Sequence, residues 1–133
     1  MSESSAARKV LVVDDEPEVE PMFRQRMRRE VRAGLYEFLF ARSGRHALEV
    51  LDENPDVRLV ITDLNMPEMN GWQLLDALGE LWPDVPSMVV SAYGDDENKK
   101  RAKESGAWGF VAKPVDFTEL RGKVAESMEV GGG

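Results

Sequence analysis

The stretch VLVVDDEP at residues 10–17 decides how the rest of the chain is interpreted. Four consecutive apolar residues suffice for a short strand, and a strand that is apolar at every position is typical of a parallel sheet buried on both faces. The strand runs directly into two adjacent carboxylates, Asp14 and Asp15, which repel each other and are costly to bury. Two negative charges where a core strand ends therefore indicate a functional role.

Apolar runs rich in Val, Ile and Phe recur along the chain and alternate with longer stretches of helical spacing. This alternation is typical of a parallel sheet that is covered by helices on both faces. Glu37 interrupts the second run, which favours an edge position for that strand. The predicted strands are VLVV (10–13), YEFLFA (36–41), VRLVIT (57–62), SMVV (87–90) and WGFVA (108–112).

Apolar side chains three and four residues apart predict helices that each place one face against the sheet. The segment 95–106 differs, because Ala102 is almost its only apolar residue between a capping Asp95 and a terminating Gly106. We expect this helix to be the least firmly anchored and therefore a source of local mobility. The apolar positions of the other helices are Val19, Met22, Phe23, Met27 and Val31; Ala47, Leu48 and Leu51; Leu74, Leu75, Leu78 and Leu81; and Phe117, Leu120, Val124 and Met128.

Length and composition predict one globular domain, since the chain has 133 residues of which 42% are apolar and 32% are charged. The absence of cysteine excludes disulfides and thiolate metal sites. No apolar run approaches the roughly 20 residues of a membrane helix, and residues 1–7 lack the apolar stretch of a signal peptide. We therefore expect a cytoplasmic protein without membrane contact, with a flexible tail at 1–7, the domain at 8–128 and a flexible glycine-rich end at 129–133.

The net charge of −8 argues against direct nucleic acid binding through phosphates. A local exception is a basic cluster at residues 24–32, which has two open interpretations. It is either a solvated helix face, as most charge runs are, or a docking surface for an acidic partner. The cluster consists of Arg24, Arg26, Arg28, Arg29 and Arg32.

Polar side chains follow four of the predicted strands. In a parallel α/β sheet, ligands bind outside the carboxyl ends of the strands, and this edge carries Asp14, Asp15, Asp63, Ser91 and Lys113. Three clustered carboxylates repel one another and favour a bound cation. Magnesium suits such oxygen ligands and completes its shell with water, a carbonyl or a phosphoryl oxygen. Together with Lys113, the site is suited to a phosphoryl group.

Four segments carry a resemblance to a known family: VLVVDDEP (10–17), ITDLNMPEMNG (61–71), VVSAYGD (89–95) and GFVAKP (109–114). In order and spacing they resemble the receiver domain of two-component response regulators, and the resemblance spans residues 8–128. It implies a flavodoxin-like α/β fold: a doubly wound five-stranded parallel sheet of strand order 2-1-3-4-5 with helices on both faces. It also implies phosphorelay signalling, in which a sensor histidine kinase or a phosphotransfer protein supplies the phosphoryl group. A conformational switch then controls a partner or an output domain.

The resemblance assigns roles to particular residues. Asp63 matches the aspartate that becomes an aspartyl phosphate. Asp14 and Asp15 match the acidic pair that holds Mg²⁺, with Mn²⁺ as an alternative, and Asp63 and the backbone carbonyl of Asn65 are the further ligands. Lys113 matches the lysine that pairs with the phosphoryl oxygens, and its bond to the following proline is expected to be cis.

Further roles concern the switch and the lifetime of the phosphoryl group. Ser91 matches the hydroxyl that moves to bind a phosphoryl oxygen, and Phe110 matches the switch aromatic. Because Phe110 is not a tyrosine, a switch that relies on a phenolic hydroxyl is not expected, and a plain core-packing role for this side chain stays open. Asn65 and Tyr93 fall at the positions that tune how long the acyl phosphate survives.

Two other functions stay open. A magnesium-dependent phosphohydrolase with an aspartyl-phosphate intermediate would resemble the dehalogenase group, whose nucleophile lies in a DxD pattern on the first strand. This chain differs from that pattern, because it has adjacent aspartates after the first run and its matching acceptor, Asp63, follows the third run. A phosphate-independent interaction module would not need the full set of site residues. If the chain is instead a receiver domain, we expect it to catalyse only its own phosphorylation and dephosphorylation. The sequence also leaves a phosphorylation-linked homodimer open.

Overall fold

A computed structural model describes residues 7–64, 66, 69–92 and 96–131. Within these residues, five parallel strands form one sheet of order β2-β1-β3-β4-β5. All five predicted strands are present, and YEFLFA is an edge strand as expected. The predicted fold class is therefore confirmed. The strands are β1 Arg8–Val13, β2 Tyr36–Ala41, β3 Val57–Thr62, β4 Ser87–Ser91 and β5 Gly109–Ala112.

Helices cover both faces of the sheet, and the alternation of side chains along β1 shows how. Val10 and Val12 pack with residues of the first and last helices, whereas Leu11 and Val13 pack with residues of the third and fourth. A strand whose side chains alternate between two apolar layers must be apolar throughout. The helices are α1 Val19–Arg26, α2 Arg28–Arg32, α3 Gly44–Glu53, α4 Gly71–Leu81, α5 Asp96–Glu104 and α6 Phe117–Gly131.

The apolar stripe predicted between residues 19 and 31 is divided between two helices. Met27 lies between α1 and α2 with φ −107° and ψ 15°, outside helical geometry. Val19, Phe23 and Met27 are buried, but Met22 and Val31 are 37% and 43% exposed. The expectation that all five side chains cover the sheet was therefore wrong: the break at Met27 separates Val31 from the stripe of α1, and Met22 is exposed within α1 itself.

The other stripes lie mostly against the sheet. Those of α3 and α6 pack into the core, and in α4 the last residue, Leu81, is 59% exposed at the helix end. Helix α6 continues to Gly131, three residues past the predicted domain end at 128. Of the helices that the structure describes, none is both long and apolar enough to cross a membrane.

Helix α5 has little apolar contact with the rest of the domain. Ala102 is the single buried residue in its described span. The guanidinium carbon of Arg101 lies 4.1 Å from the ring centroid of Trp72, which adds a cation–π contact to α4. Gly106 follows the helix with φ +97°, a conformation that glycine adopts easily, whereas Asp95 lies outside the described residues. The predicted weak anchoring agrees with these contacts, and the mobility of α5 stays a prediction.

Gly71 brings the N-terminus of α4 against the chain that follows β3. A capping box begins the helix, since the Asn70 side chain accepts from the backbone N–H of Gln73 and the Gln73 side chain accepts from that of Asn70. The N–H of Gly71 donates to the carbonyl of Leu64 at 2.9 Å. A Cβ at position 71 would clash with the carbonyl oxygen of Asp63 and lie 2.7 Å from the Cα of Leu64. Only glycine allows this approach.

We expect Gly71→Ala to lower the free energy of unfolding by about 1–3 kcal/mol, because the new methyl group meets backbone atoms that cannot rotate away. Chemical denaturation followed by circular dichroism measures the change. The matched control is Gly79→Ala in the same helix, where a Cβ has no atom within 4 Å. Alanine favours a helix over glycine by up to about 1 kcal/mol, so the control is expected to be neutral or stabilising. Equal effects of the two substitutions would contradict the clash.

Candidate functional site

The carboxyl ends of the central strands bring Asp14 and Asp63 side by side. Each residue directly follows its strand, and the N–H of Asp63 donates to the carbonyl of Val13 at 3.0 Å. Lys113 follows β5, and its N–H donates to the carbonyl of Ser91 at 2.9 Å. Backbone pairing therefore fixes where these side chains begin, as the parallel sheet predicted.

Lys113 joins the carboxylates of this edge. Its Nζ lies 3.2 Å from Oδ2 of Asp14, 3.3 Å from Oε1 of Glu16 and 3.4 Å from Oδ2 of Asp63. The side chains of Asp14 and Asp63 are 7% and 8% exposed, whereas that of Glu16 is 50% exposed. One ammonium group thus faces two buried carboxylates and one at the surface.

Three carboxylates are close enough to share a cation. Asp14, Glu16 and Asp63 each offer an oxygen within 4.8 Å of the others. A donor set made only of carboxylate oxygens suits a hard cation such as Mg²⁺. Asp15, which the sequence predicted as a ligand, is exposed and does not belong to this group. Its predicted role stays a prediction.

Glu16 was missed by the sequence analysis. Oδ1 of Asp14 accepts a hydrogen bond from the backbone N–H of Glu16 at 3.0 Å. Such a bond two residues onward is an Asx turn, and it turns the chain back after the strand. Glu16 consequently joins the site, while the intervening residue faces solvent. The available signal was the third acidic residue in the DDE sequence.

The charges of Asp14 and Lys113 are perturbed by their surroundings. Burial raises the pKa of Asp14 and the carboxylate of Asp63 adds to the effect, although the N–H of Glu16 and the charge of Lys113 act in the opposite direction. Burial alone would lower the pKa of Lys113, but the charges of Asp14 and Asp63 and the hydrogen bonds to Asp14 and Glu16 raise it above its usual value. The cluster therefore retains the lysine charge and disfavours that of Asp14.

Hydrogen bonds fix both the carboxylate and the backbone carbonyl of Asp63. Its Oδ1 accepts from the backbone N–H of Leu64 at 2.8 Å, and the Thr62 hydroxyl donates to the Asp63 carbonyl at 2.8 Å. Oδ2 is the oxygen that faces Lys113. One oxygen is thereby fixed by the backbone, and the other points into the charged cluster.

Ser91 and Phe110 lie on the neighbouring strands β4 and β5. Ser91 is fully buried at the end of β4. Phe110 is partly buried on β5 and packs in a cluster with Val89 and Ala102. The Lys113–Pro114 bond is cis, as the resemblance implied. The predicted positions Asn65 and Tyr93 lie outside the residues that the structure describes, so their roles stay predictions.

The fold and the site define a doubly wound α/β protein with a carboxylate and lysine cluster at the carboxyl edge of its sheet. The family model of the response regulator receiver domain matches residues 10–125. The chain therefore belongs to the receiver domain family of two-component response regulators. Its resemblance to this family, inferred from the four sequence segments, is confirmed.

Two known proteins of different length and one crystal structure are similar to this chain. The response regulator protein PilR of Pseudomonas aeruginosa is 31% identical over 125 residues, which cover 92% of this chain and 26% of that protein. The chain thus spans about a quarter of the length of PilR. A chemotaxis protein CheY homolog of Campylobacter jejuni is 31% identical over 127 residues, which cover 94% of this chain and 95% of that protein. The crystal structure of a response regulator receiver domain protein from Clostridium thermocellum superposes with a TM-score of 0.82 at 26% identity, over 92% of this chain and 94% of that one.

Membership in this family is consistent with a role in phosphorelay signalling. Receiver domains are signalling modules of two-component systems, which interact with histidine kinases or phosphotransfer proteins and in general bind Mg²⁺. In this chain, the cluster of Asp14, Glu16 and Asp63 is the group of described residues suited to such a cation.

We expect Asp14→Asn to raise the free energy of unfolding at pH 7 in buffer free of divalent cations. The folded-state pKa of Asp14 lies above its ordinary value of 3.8. Its contribution to stability is therefore fully present below that value and is lost as the pH rises through the folded pKa. Asparagine does not ionise, so it has no such loss of stability as the pH rises. Its side-chain oxygen can still accept a hydrogen bond from the backbone N–H of Glu16. Urea denaturation from pH 3 to pH 7, about the range in which carboxylates titrate, measures the difference.

The control for this substitution is Asp76→Asn on the exposed face of α4, where the structure describes no ion pair. It is expected to change stability little at either pH. A lower stability of Asp14→Asn than of the wild type at pH 7 would show that the ion pair with Lys113 outweighs the burial of the carboxylate.

Proposed function

We propose that this protein accepts a phosphoryl group on Asp63 in a magnesium-dependent reaction and passes the signal on by a change of conformation. The observation that carries the proposal is the position of the Lys113 ammonium, 3.4 Å from Oδ2 of Asp63 and beside the carboxylates of Asp14 and Glu16. The proposed donor is a phosphohistidine of a sensor kinase or of a phosphotransfer protein in the cytoplasm. The kinase, the output partner and a phosphorylation-linked homodimer remain expectations from the family.

In the proposed reaction, a carboxylate oxygen of Asp63 attacks the phosphorus atom. A bond between that oxygen and phosphorus forms, while the bond from phosphorus to the imidazole nitrogen of the donor breaks. Phosphoryl transfer depends mainly on positioning and on neutralising the oxygens of the transferring group. Lys113 supplies a positive charge on one side, and the hydrogen bond from Leu64 holds the carboxylate in place.

Magnesium, when bound, supplies further positive charge to the transferring group. The proposed ligands are Asp14, Asp15, Asp63 and the backbone carbonyl of Asn65, and the structure adds Glu16 as a nearby carboxylate. Asp15 would have to turn toward Asp14 to take part. The product is a mixed anhydride that water hydrolyses, so the modification is temporary, as a signal requires.

The proposed output is a shift between two conformations of the β5 and α5 region. A phosphoryl group shifts such an equilibrium only through contacts that differ between the two states. Ser91 and Lys113 are the proposed contacts. Phe110 lies two strand residues before Ala112 and packs in the same cluster as Ala102, the buried residue of α5. A change at the end of β5 therefore has a packed route to the weakly anchored helix.

Phosphorylation is tested by incubating the protein with Mg²⁺ and acetyl phosphate and measuring its intact mass. We expect a single phosphoryl adduct that is sensitive to hydroxylamine, and we expect Asp63→Asn to abolish it. Asp76→Asn should form the adduct at the wild-type level, because Asp76 is exposed on α4. Absence of an adduct, or its persistence in Asp63→Asn, would refute the assignment of the acceptor. Multiple turnover of a phosphate ester would instead favour the phosphohydrolase.

The conformational proposal is tested by amide hydrogen exchange with and without the phosphoryl group. We expect protection in α5 to change, because Ala102 is the single buried residue in its described span and the helix therefore opens easily. Helix α3, which buries Ala47 and Leu51, serves as the internal control and should keep its protection. Equal protection of α5 in both states would exclude it as the moving element.

A further inference from the structure

Five arginines give the basic cluster at residues 24–32 its positive charge. Its one acidic residue, Glu30, pairs with Arg121 of α6, whose Nε lies 3.0 Å from Oε2 of Glu30. Arg28, Arg29 and Arg32 are exposed, and among the residues that the structure describes none of the three has an ion-pair partner. Unmatched guanidinium groups stand close together on a protein whose net charge is −8.

A recess lies beside these arginines, between the α1–α2 region and the edge strand β2. Its volume is about 400 Å³. Tyr36 and Phe38, which are 8% and 6% exposed, form its floor together with Val31. Glu37 contributes one carboxylate to the lining, and Arg24, one of its three guanidinium groups, pairs with Glu20 at 3.0 Å. We call this recess the arginine groove, and its basic lining residues are Arg24, Arg28 and Arg32.

One of the exposed large apolar side chains, Val31, lines the arginine groove. Met22, Val31 and Leu35 are 37%, 43% and 53% exposed. In the described part of the chain, the remaining exposed large apolar residue is Leu81 at the end of α4. Contiguous exposed apolar surface with a charged border is typical of an interaction site. Val31 does not cover the sheet and is thus available to a partner that enters the groove.

We propose that the arginine groove docks an acidic segment of a partner protein that also carries an apolar side chain. The apolar side chain would enter the recess over Tyr36 and Phe38, and carboxylates on either side would pair with Arg28 and Arg32. The concave shape and apolar floor favour a peptide over a flat lipid surface. The acidic body of the domain repels extended polyanions such as DNA, whereas a short segment meets only the local positive charge.

The proposal is tested by fluorescence anisotropy with a short labelled peptide in which Glu and Asp flank a central Phe and Leu. We expect saturable binding to the wild type that weakens as the salt concentration rises. Arg28→Glu should weaken it about tenfold or more, because an attractive charge becomes a repulsive one. The control is Arg45→Glu at an exposed position of α3, which makes the same charge change away from the groove and should bind nearly as well as the wild type.

The apolar part of the groove is tested by a second pair of variants. Val31→Ser should weaken peptide binding severalfold, whereas Leu81→Ser, which removes an exposed apolar side chain elsewhere, should not. Thermal unfolding checks that all four variants fold. Asp63→Asn should bind the peptide with the affinity of the wild type, because the groove does not contain the proposed phosphorylation site.

Three outcomes would overturn the proposal. They are an absence of saturable peptide binding, an equal loss in Arg28→Glu and Arg45→Glu, and tighter binding to phosphatidylglycerol vesicles or to duplex DNA than to the peptide.

Discussion

The contact between Lys113 and the carboxylates of Asp14, Glu16 and Asp63 is the interaction on which the site depends. Two of these carboxylates are almost fully buried at the end of the central strands, where like charges repel and lose their hydration. One ammonium group within 3.4 Å of all three offsets part of this cost. The raised pKa of Asp14 shows that it does not offset all of it. The remaining unfavourable charge is what favours a divalent cation.

The sheet fixes the positions of the site residues, whereas helix α5 is weakly attached to the rest of the domain. Backbone hydrogen bonds between the strand ends fix Asp63 and Lys113, and Gly71 lets α4 press against the chain that carries Asp63. Backbone contacts therefore set the positions of both side chains at the proposed phosphoryl site. Helix α5, in contrast, buries only Ala102 among its described residues. A site held by the sheet, linked through β5 to a weakly attached helix, is suited to converting a small chemical change into a change of surface.

The sequence predicted the strands well, because strands buried on both faces must be apolar throughout and their carboxyl ends meet at one edge; the strand order came from the resemblance to the receiver domain family. Asp14, Asp63 and Lys113 followed from that geometry. Glu16 did not, since its position depends on a hydrogen bond from its own N–H to the Asp14 side chain. The break at Met27 was missed for a related reason. Apolar spacing continues across it, so periodicity alone could not show that Val31 faces solvent.

The most direct measurement is the free energy of unfolding as a function of Mg²⁺ concentration, with potassium chloride added to match ionic strength. If the carboxylate cluster is a cation site, stability should rise with the logarithm of Mg²⁺ concentration above the dissociation constant. Asp63→Asn should lose most of this increase, whereas Asp76→Asn should keep it. Stability that does not change with Mg²⁺, or an equal response of the wild type and Asp63→Asn, would contradict the account.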